Sequence, residues 1–242
     1  MPINFLQLLQ DSWNFIHNQR QFSIFAVVTM LFIQVLDFVL LSIFPVPILT
    51  QTSSPEKVLV TALPTFILFL LNLLFTALVI LNIKSINNGN SHHFFQPILR
   101  LLKSLFSLIL INLISVIPLS LAIVLLTLGM WHPTINLTSL PFIAIGFYFF
   151  IKLFLAVYVY LIEEPQKSVT ETLVFTFKLS KGKMRPLVLF CLLSFIPLLI
   201  INSLEKLGDS IPVMALSSIV STLLGVFLIV FSFRFYQLYR KL

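Results

Sequence analysis

The segment Arg100–Met130, RLLKSLFSLILINLISVIPLSLAIVLLTLGM, decides the class of this protein. Two cations stand near its start, and from Ser104 to Met130 no charged residue interrupts a run dominated by Leu, Ile, Val and Phe. An α-helix needs about 20 predominantly apolar residues to cross the ~30 Å hydrocarbon core of a bilayer. The segment therefore predicts a membrane-spanning helix whose basic end lies at one membrane surface.

The composition extends this prediction to the whole chain of 242 residues. Hydrophobic residues make up 59% and charged residues 10%, with a mean hydropathy of +1.07, whereas a soluble domain carries about 25% charged residues. Five further apolar stretches are long enough, or nearly so, to span: Gln21–Phe44, Ala62–Ile83, Ser139–Ile162, Leu187–Leu204 and Ser210–Tyr236. We predict an all-α polytopic membrane protein with six transmembrane helices, forming a single integral membrane domain over residues 1–242.

The distribution of cations predicts the orientation. Twelve of the fifteen lysines and arginines fall at one end of the runs: Arg20, Lys84, Arg100, Lys103, Lys167, Lys178, Lys181, Lys183, Arg185, Arg234, Arg240 and Lys241. Only Lys57 and Lys206 fall at the other end, and Lys152 lies inside a run. Because cationic side chains near helix ends stay on the cytoplasmic side, and six spans return the chain to its starting side, both termini are predicted to be cytoplasmic.

The apolar runs open in a repeated way. The even-numbered runs open with Thr61-Ala62-Leu63-Pro64, Thr138-Ser139-Leu140-Pro141 and Asp209-Ser210-Ile211-Pro212, which suits a capping residue followed by proline in the first helical turn. Each odd-numbered run follows a cation. The repeat of about 80 residues suits a two-span unit. We predict three units, at about 1–86, 87–165 and 166–242, each made of a cytoplasmic amphipathic helix and a transmembrane hairpin.

The surface helix of the third unit has the clearest signals. Ser168 and Glu171 have the spacing of a capping box, Lys178 and Lys181 suit the last turn, and Gly182 suits the left-handed C′ position. Near the amino terminus, an apolar stripe is formed by Phe5, Leu9, Trp13 and Ile16. The middle copy is interrupted by Pro97, which is expected to start the third span early. These stripes would pack either on lipid or on the protein's own hairpins.

Two runs at the chain ends carry a family resemblance. Asp11-Ser12-Trp13-Asn14-Phe15-Ile16-His17-Asn18-Gln19 and Phe233-Arg234-Phe235-Tyr236, with the spacing of spans between them, resemble the YciC family of uncharacterised bacterial inner-membrane proteins. The resemblance implies a multi-pass protein of the bacterial inner membrane with no known activity. The family is distantly similar to membrane regions that accompany some glycerophosphodiester phosphodiesterases, but this chain has no phosphodiesterase domain, so no activity is implied.

Asp37 and Lys152 are the ionisable residues inside the predicted spans. Intramembrane charge is expensive and commonly marks a functional site, so the two form a candidate intramembrane polar pair. Helix rise places them roughly 10 Å apart in depth, which the long lysine could partly close. Structural pairing or snorkelling toward the interface is one interpretation, and a substrate or proton pathway is the other. Pro118 and Pro197 likewise could line a cavity or simply kink their helices.

The sequence contains no motif with recognised chemistry. A phosphate-binding glycine loop, a Gly-x-Ser-x-Gly elbow and a His-Glu-x-x-His pair are all missing, so we assign no catalytic residue, cofactor or metal. Adjacent His92 and His93 suit a solvated loop, and the lone Cys191 leaves no intrachain disulfide. The net charge of +7 suits anionic headgroups of the inner leaflet rather than nucleic acid. The candidate headgroup contacts are Lys178, Lys181, Lys183 and Arg185.

These observations favour a non-enzymatic role in membrane or envelope organisation, exercised through inner-leaflet lipids or a membrane-protein partner. The alternative is a transporter or channel for a small or lipidic solute. It is suggested by the repeats, the prolines and the two intramembrane charges. An enzyme working inside the bilayer is the third and least favoured hypothesis.

Overall fold

A computed structural model describes residues 3–44, 55–89, 94–131, 133–205 and 211–242 of the protein. Over these ranges the chain forms nine helices and no β-strand. The helices are α1 Phe5–Asn18, α2 Arg20–Ile43, α3 Pro55–Asn87, α4 Ile98–Trp131, α5 Pro133–Leu153, α6 Ala156–Ile162, α7 Val169–Leu179, α8 Met184–Glu205 and α9 Ile211–Lys241. Six segments within them are long and apolar enough to cross a membrane. The prediction of six candidate spans in an all-helical protein is confirmed.

Several helices continue well past their apolar runs. Helix α3 has 33 residues, α4 has 34 and α9 has 31, which at 1.5 Å per residue gives each a length near 50 Å. A bilayer core is only about 30 Å thick. These three helices therefore extend beyond the hydrocarbon. We call the end of each span that carries the lysines and arginines its basic end.

The predicted starting points of two helices are wrong. Pro64 and Pro141, expected in the first turns of their helices, lie inside α3 and α5, which begin instead at Pro55 and Pro133. The physical reason is that any proline tolerates the first turn, where its missing N–H is not needed, so the earlier proline starts the helix. Pro212 does lie in the first turn of α9. The side chains of Thr61, Thr138 and Asp209, the expected caps, lie outside the described residues.

The third span starts early, as predicted. Residues 94–97 form a turn, and α4 begins directly after Pro97. The Asn82 side chain donates to the carbonyl oxygen of Phe94 at 2.9 Å and ties this turn to α3. In this middle segment the chain enters the span at once, so no separate surface helix precedes α4 in the part of it that the structure describes. Among the described residues, only α1 and α7 are separate short amphipathic helices. The organisation into three repeated units remains a prediction.

The chain divides into two compact units, which interleave along the sequence. Unit 1 comprises residues 1–9, 102–196 and 231–242, and unit 2 comprises residues 10–101 and 197–230. Both units take in segments of α8 and α9. The single membrane domain over residues 1–242 remains a prediction.

Stacked aromatic rings form the core of unit 1. Phe190 of α8 lies parallel to Phe235 of α9, with ring centroids 4.0 Å apart, and also stacks on Phe231 at 5.4 Å. Phe5 of α1 stacks on the same Phe235 at 6.0 Å. Aromatic pairs of this kind stabilise a core beyond their buried area. The closing run that carries the family resemblance therefore supplies the centre of unit 1, because Phe233, Phe235 and Tyr236 are all buried.

In unit 2, polar and small residues bring α2 and α9 together. The Gln34 side chain donates to the Ser221 hydroxyl at 3.4 Å and accepts from the Thr222 hydroxyl at 3.1 Å. One turn along α9 from Ser221, Gly225 contacts the side chain of Met30 in α2. A Cβ added to Gly225 would lie 3.0 Å from the Met30 sulfur. Small residues of this kind allow close helix approach in membranes, and side-chain hydrogen bonds across the contact contribute about 1 kcal/mol.

Burial is concentrated near the basic end of several helices. In α3 the run Ala77–Ile83 is buried, whereas Leu63, Phe66 and Ile67 near the opposite end are exposed. Helix α9 shows the same contrast between its buried run Val230–Phe233 and its exposed Met214, Leu216, Ile219 and Leu223. Exposed apolar side chains are normal where the solvent is lipid. Packing within the chain is thus closest toward the basic ends of these helices, and their opposite ends offer apolar surface to acyl chains.

Helix α1 has a different buried face from the one predicted. Leu8, Ser12 and Phe15 are buried, while Leu9 and Trp13 of the predicted stripe are exposed. At about 100° per residue the two sets lie roughly 90° apart around the helix, and the apolar pattern favoured the exposed set because the buried one contains the polar Ser12. Besides Leu9 and Trp13, Leu6 is exposed. Helix α1 therefore packs one face on the protein and offers a second apolar face to its surroundings.

Candidate functional site

Helix α7 begins with the predicted capping box. The Ser168 hydroxyl accepts a hydrogen bond from the Glu171 backbone N–H at 3.3 Å, and the Glu171 carboxylate accepts one from the Ser168 N–H at 2.9 Å. The Ser168 backbone bond lowers the pKa of Glu171 below its ordinary value, with help from the Ser168 hydroxyl and the charge of Lys167. Lys178 lies in the last turn and Gly182 follows with a φ of +77°. The predicted capping box and the position of Lys178 in the last turn are confirmed. Lys181 and Gly182 lie beyond the C-cap Ser180, so Gly182 is one residue past the predicted C′ position.

The buried face of α7 is lined by two threonines. Thr172 and Thr176 are almost fully buried. The Thr176 hydroxyl donates to the Thr172 carbonyl oxygen at 2.7 Å, but within the described residues the Thr172 hydroxyl oxygen has no hydrogen-bond partner. A buried hydroxyl without a partner is destabilising. This face packs on α5 and α6.

The four candidate headgroup cations lie around the turn between α7 and α8. Lys178, Lys181 and Arg185 are exposed, and Lys183 is partly exposed. The backbone carbonyl of Lys183 accepts a hydrogen bond from the Tyr239 hydroxyl at 3.1 Å, which ties this turn to the end of α9. Their side chains are thus available to a ligand, and lipid contact remains a prediction.

Lys152 lies in the last turn of α5, with only 6% of the residue exposed. Its ammonium stands over the ring of Phe177 in α7, 4.1 Å from the centroid, and 5.2 Å from the centroid of Tyr148. Such cation–π contacts are attractive and strengthen when water is excluded. The end of a helix also favours a cation, because the helix dipole is negative there.

The fourth span is interrupted just beyond Lys152, after Leu153. Phe154 and Leu155 form a turn between α5 and α6, where the Phe154 N–H bonds the Ile151 carbonyl at 3.4 Å. The sequence predicted one continuous helix over Ser139–Ile162, because no glycine or proline marks the interruption. A single lysine inside an apolar run is the only local signal that this position is unusual.

Asp37 lies on α2 in unit 2 and is half-buried. It is one turn from the buried Ile33 and therefore lies on the packed side of that helix. Lys152 belongs to unit 1. The pairing of Asp37 with Lys152 remains a prediction.

Glu163, at the end of α6, is held by a polar cluster that the sequence did not reveal. It is 4% exposed, it accepts a hydrogen bond from the Tyr236 hydroxyl, and it pairs with the Arg240 guanidinium at 3.0 Å. Both partners come from the end of α9 rather than from the basic segment that follows Glu163 in the sequence. The missing information is the long-range contact, since neither residue type nor spacing links Glu163 to Arg240. The cluster fastens the basic ends of α6 and α9 together.

Pro118 and Pro197 lie inside α4 and α8. A Cβ added to Gly146 in α5 would collide with the Pro118 carbonyl oxygen and would lie 2.9 Å from the Ala122 Cβ. Gly146 thus permits a close approach of α5 to α4, and the first proline lies at a helix–helix contact.

His92, His93 and Lys206 lie outside the described residues. In the part of the chain that the structure describes, no three His, Cys, Asp or Glu side chains are grouped to hold a metal ion. Asn72 donates to Leu68 of its own helix at 3.0 Å.

Comparison with known proteins gives a family but no chemistry. The six apolar helices define a polytopic helical membrane protein. The chain is 30% identical over 253 aligned residues to an uncharacterised protein of Haemophilus influenzae, and the alignment covers all of both chains. The chain belongs to the family of that protein. No family model matches the sequence, and no solved structure matches the fold.

Proposed function

We propose that this chain is a protein of the bacterial inner membrane, with both termini in the cytoplasm, and that its family is the YciC family. Its proposed role is non-enzymatic. It organises the membrane or envelope by contact with anionic inner-leaflet lipids, or through a membrane-protein partner. The observation that carries the proposal is the cluster of Lys178, Lys181, Lys183 and Arg185, whose side chains are exposed or partly exposed beside an amphipathic helix that packs on α5 and α6.

The energetics favour such contact. Each lysine or arginine near an anionic membrane surface contributes about 1 kcal/mol of attraction. The cap at Ser168 and the left-handed residue Gly182 fix both ends of α7. Lys178 lies in α7 and Arg185 in α8, and the hydrogen bond from Tyr239 to the Lys183 carbonyl holds the turn between them. Cations held in this way bind lipid with less loss of backbone entropy than those of a flexible tail would.

The test is the preference of the reconstituted protein for anionic lipid. We expect spin-labelled phosphatidylglycerol to associate more strongly than spin-labelled phosphatidylcholine, with a difference that shrinks as salt screens the charges. Replacing the four cations by glutamine should remove the preference. The matched variant, with the three lysines changed to arginine and Arg185 to lysine, should keep it. If the glutamine variant kept the same preference for phosphatidylglycerol over phosphatidylcholine as the wild type, the lipid proposal would be refuted.

Orientation is tested separately. A fluorescent reporter that matures only in the cytoplasm, fused after Leu242, should fluoresce, and alkaline phosphatase at the same position should be inactive. Phosphatase activity there would refute the cytoplasmic placement of both ends.

The second candidate is a transporter or channel, favoured by one structural observation. The fourth span is broken at Phe154–Leu155, beside Lys152, and discontinuous helices form the binding sites of many transporters. This hypothesis expects Asp37→Asn or Lys152→Met to abolish solute flux in proteoliposomes at unchanged expression. Unaltered flux in both variants would refute it.

A further inference from the structure

The ammonium of Lys152 has hydrogen-bond donors for which the described residues of its unit supply no acceptor. An ammonium carries three N–H donors and no acceptor, and burying a charge without hydrogen-bond partners is costly. Within the described residues of unit 1, Lys152 contacts the faces of Phe177 and Tyr148 and makes no hydrogen bond or ion pair. Three carboxylates lie nearest in sequence to these elements, and all are engaged: Glu171 by the α7 cap, Glu163 by Tyr236 and Arg240, and Glu164 by an interaction of its own.

The contacts of Lys152 place its ammonium at the membrane surface. Helix α7 exposes Glu171 and Lys178, so it cannot lie in hydrocarbon, where charge is expensive. The Lys152 ammonium is 4.1 Å from the ring of Phe177 in this helix and must lie at about the same depth. The length of α5 is compatible with this depth, because its 21 residues span about 31 Å, close to the thickness of the core. Lys152 then lies at headgroup level.

An apolar stripe runs along α5 from this point toward the opposite end of the helix. Phe142, Ile145 and Phe149 are exposed, and their spacing of three and four places them on one side of the helix. Lys152 is one turn beyond Phe149 on the same side. Tyr148 is 44% exposed, the centroid of its ring lies 5.2 Å from the ammonium, and its hydroxyl carries a further donor.

We propose that Lys152 and Tyr148 bind the phosphate of one anionic phospholipid, whose acyl chain lies along Phe142, Ile145 and Phe149. The phosphate oxygens accept from the ammonium and the phenol, and the stripe provides the apolar contact that inorganic phosphate could not use. This site deepens the proposed lipid contact and rests on it. It differs in holding one lipid at a defined place, whereas the surface cations attract many.

The test is native mass spectrometry of the delipidated full chain, titrated in detergent with phosphatidylglycerol, phosphatidylcholine or inorganic phosphate. We expect one phosphatidylglycerol per chain at low lipid concentration and no adduct with inorganic phosphate at the same concentration. Lys152→Met should weaken this binding about tenfold or more, the usual effect of losing a hydrogen bond to a charged group. Tyr148→Phe should weaken it about threefold.

Three controls make the result specific. Lys152→Arg keeps the charge and should bind like the wild type, and Lys103→Met removes an exposed cation of α4 and should have no effect. Asp37→Asn should also have no effect. Protection of the buried Cys191 thiol from a maleimide verifies that each variant is folded.

Unchanged binding in Lys152→Met, or equal loss in Lys152→Arg, overturns the proposal. If Asp37→Asn bound phosphatidylglycerol more tightly than the wild type, Asp37 would be the partner of the Lys152 ammonium, and the lipid site would be wrong. If inorganic phosphate bound as strongly as phosphatidylglycerol, the site would bind an ion rather than a lipid, and the proposal would also be overturned. The two lipid proposals fail in different ways. If only the glutamine variant of the four surface cations loses anionic preference, the Lys152 site is wrong; if only Lys152→Met loses its single lipid, the surface role is wrong.

Discussion

Replacing Tyr236 by phenylalanine should destabilise unit 1 more than any other loss of a single tyrosine hydroxyl described above. Tyr236 is fully buried and donates to the carboxylate of Glu163, which is 4% exposed. A hydrogen bond to a charged group contributes about 1.5–3 kcal/mol, so the variant should lose about 2 kcal/mol of unfolding free energy. In a chain of this size each kcal/mol shifts the midpoint by about 2–4 °C. The expected fall is about 4–8 °C.

The single cysteine provides the assay. Cys191 is buried in unit 1, next to the stacked Phe190, so a thiol-reactive dye reports when this unit opens during heating in detergent. Tyr239→Phe is a graded control, because its hydroxyl bonds the neutral carbonyl of Lys183, and it should cost about half as much. Tyr160→Phe should have little effect, since no hydrogen bond of its hydroxyl is among the described contacts.

A double-mutant cycle separates the hydrogen bond from other effects of the substitution. Glu163→Gln alone should cost about 1 kcal/mol, because Arg240 is half exposed and its ion pair is screened. Combined with Tyr236→Phe, it should show about 1 kcal/mol of coupling. Additive losses, or a Tyr236→Phe midpoint equal to that of the wild type, would refute the reasoning.

Three further predictions concern two glycines at helix contacts, the buried threonines of α7 and the cap of that helix. Gly146→Ala should lower the free energy of unfolding by about 2 kcal/mol, because the new methyl group meets the Pro118 backbone. Gly225→Ala should lower it by less than half as much, because its methyl group meets the flexible Met30 side chain. Equal unfolding midpoints of the two variants in the dye assay would contradict this. Thr172→Val should raise stability by about 1 kcal/mol by removing a buried hydroxyl that lacks a partner, and Thr176→Val, which loses a hydrogen bond, should not. Since the pKa of Glu171 is lowered from an ordinary value of 4.5, its capping contribution is complete above that pH and disappears as the pH falls through the lower folded value. Hydrogen exchange of the α7 amides, corrected for intrinsic rates, should show this loss, and Glu171→Gln should abolish the pH dependence.

Features with local causes were predicted from the sequence. The six spans follow from composition and run length, and the cap of α7 follows from two residues three positions apart. Helix starts were less predictable, because Pro55 and Pro64 are equally compatible with a first turn. The choice between them depends on how far the chain stays helical outside the hydrocarbon.

The polar sites required information that a single sequence lacks. The pairing of Glu163 with Tyr236 and Arg240 joins two distant segments, and no periodicity connects them. The interruption after Leu153 has no glycine or proline to announce it. The buried face of α1 was not predicted because the polar Ser12 lies at its centre, between Leu8 and Phe15, and interrupts the helical spacing of apolar residues.

The interleaving of the two units has a consequence for biogenesis. Unit 1 needs residues 231–242 to supply Phe235, Tyr236 and Arg240, although all of its other parts are encoded before residue 197. Until translation passes this last segment, Phe190 has no ring to stack on and Glu163 has no counter-ion. A chain truncated before Phe231 would therefore enter the bilayer yet stay open at its basic end, where membrane proteases could recognise it.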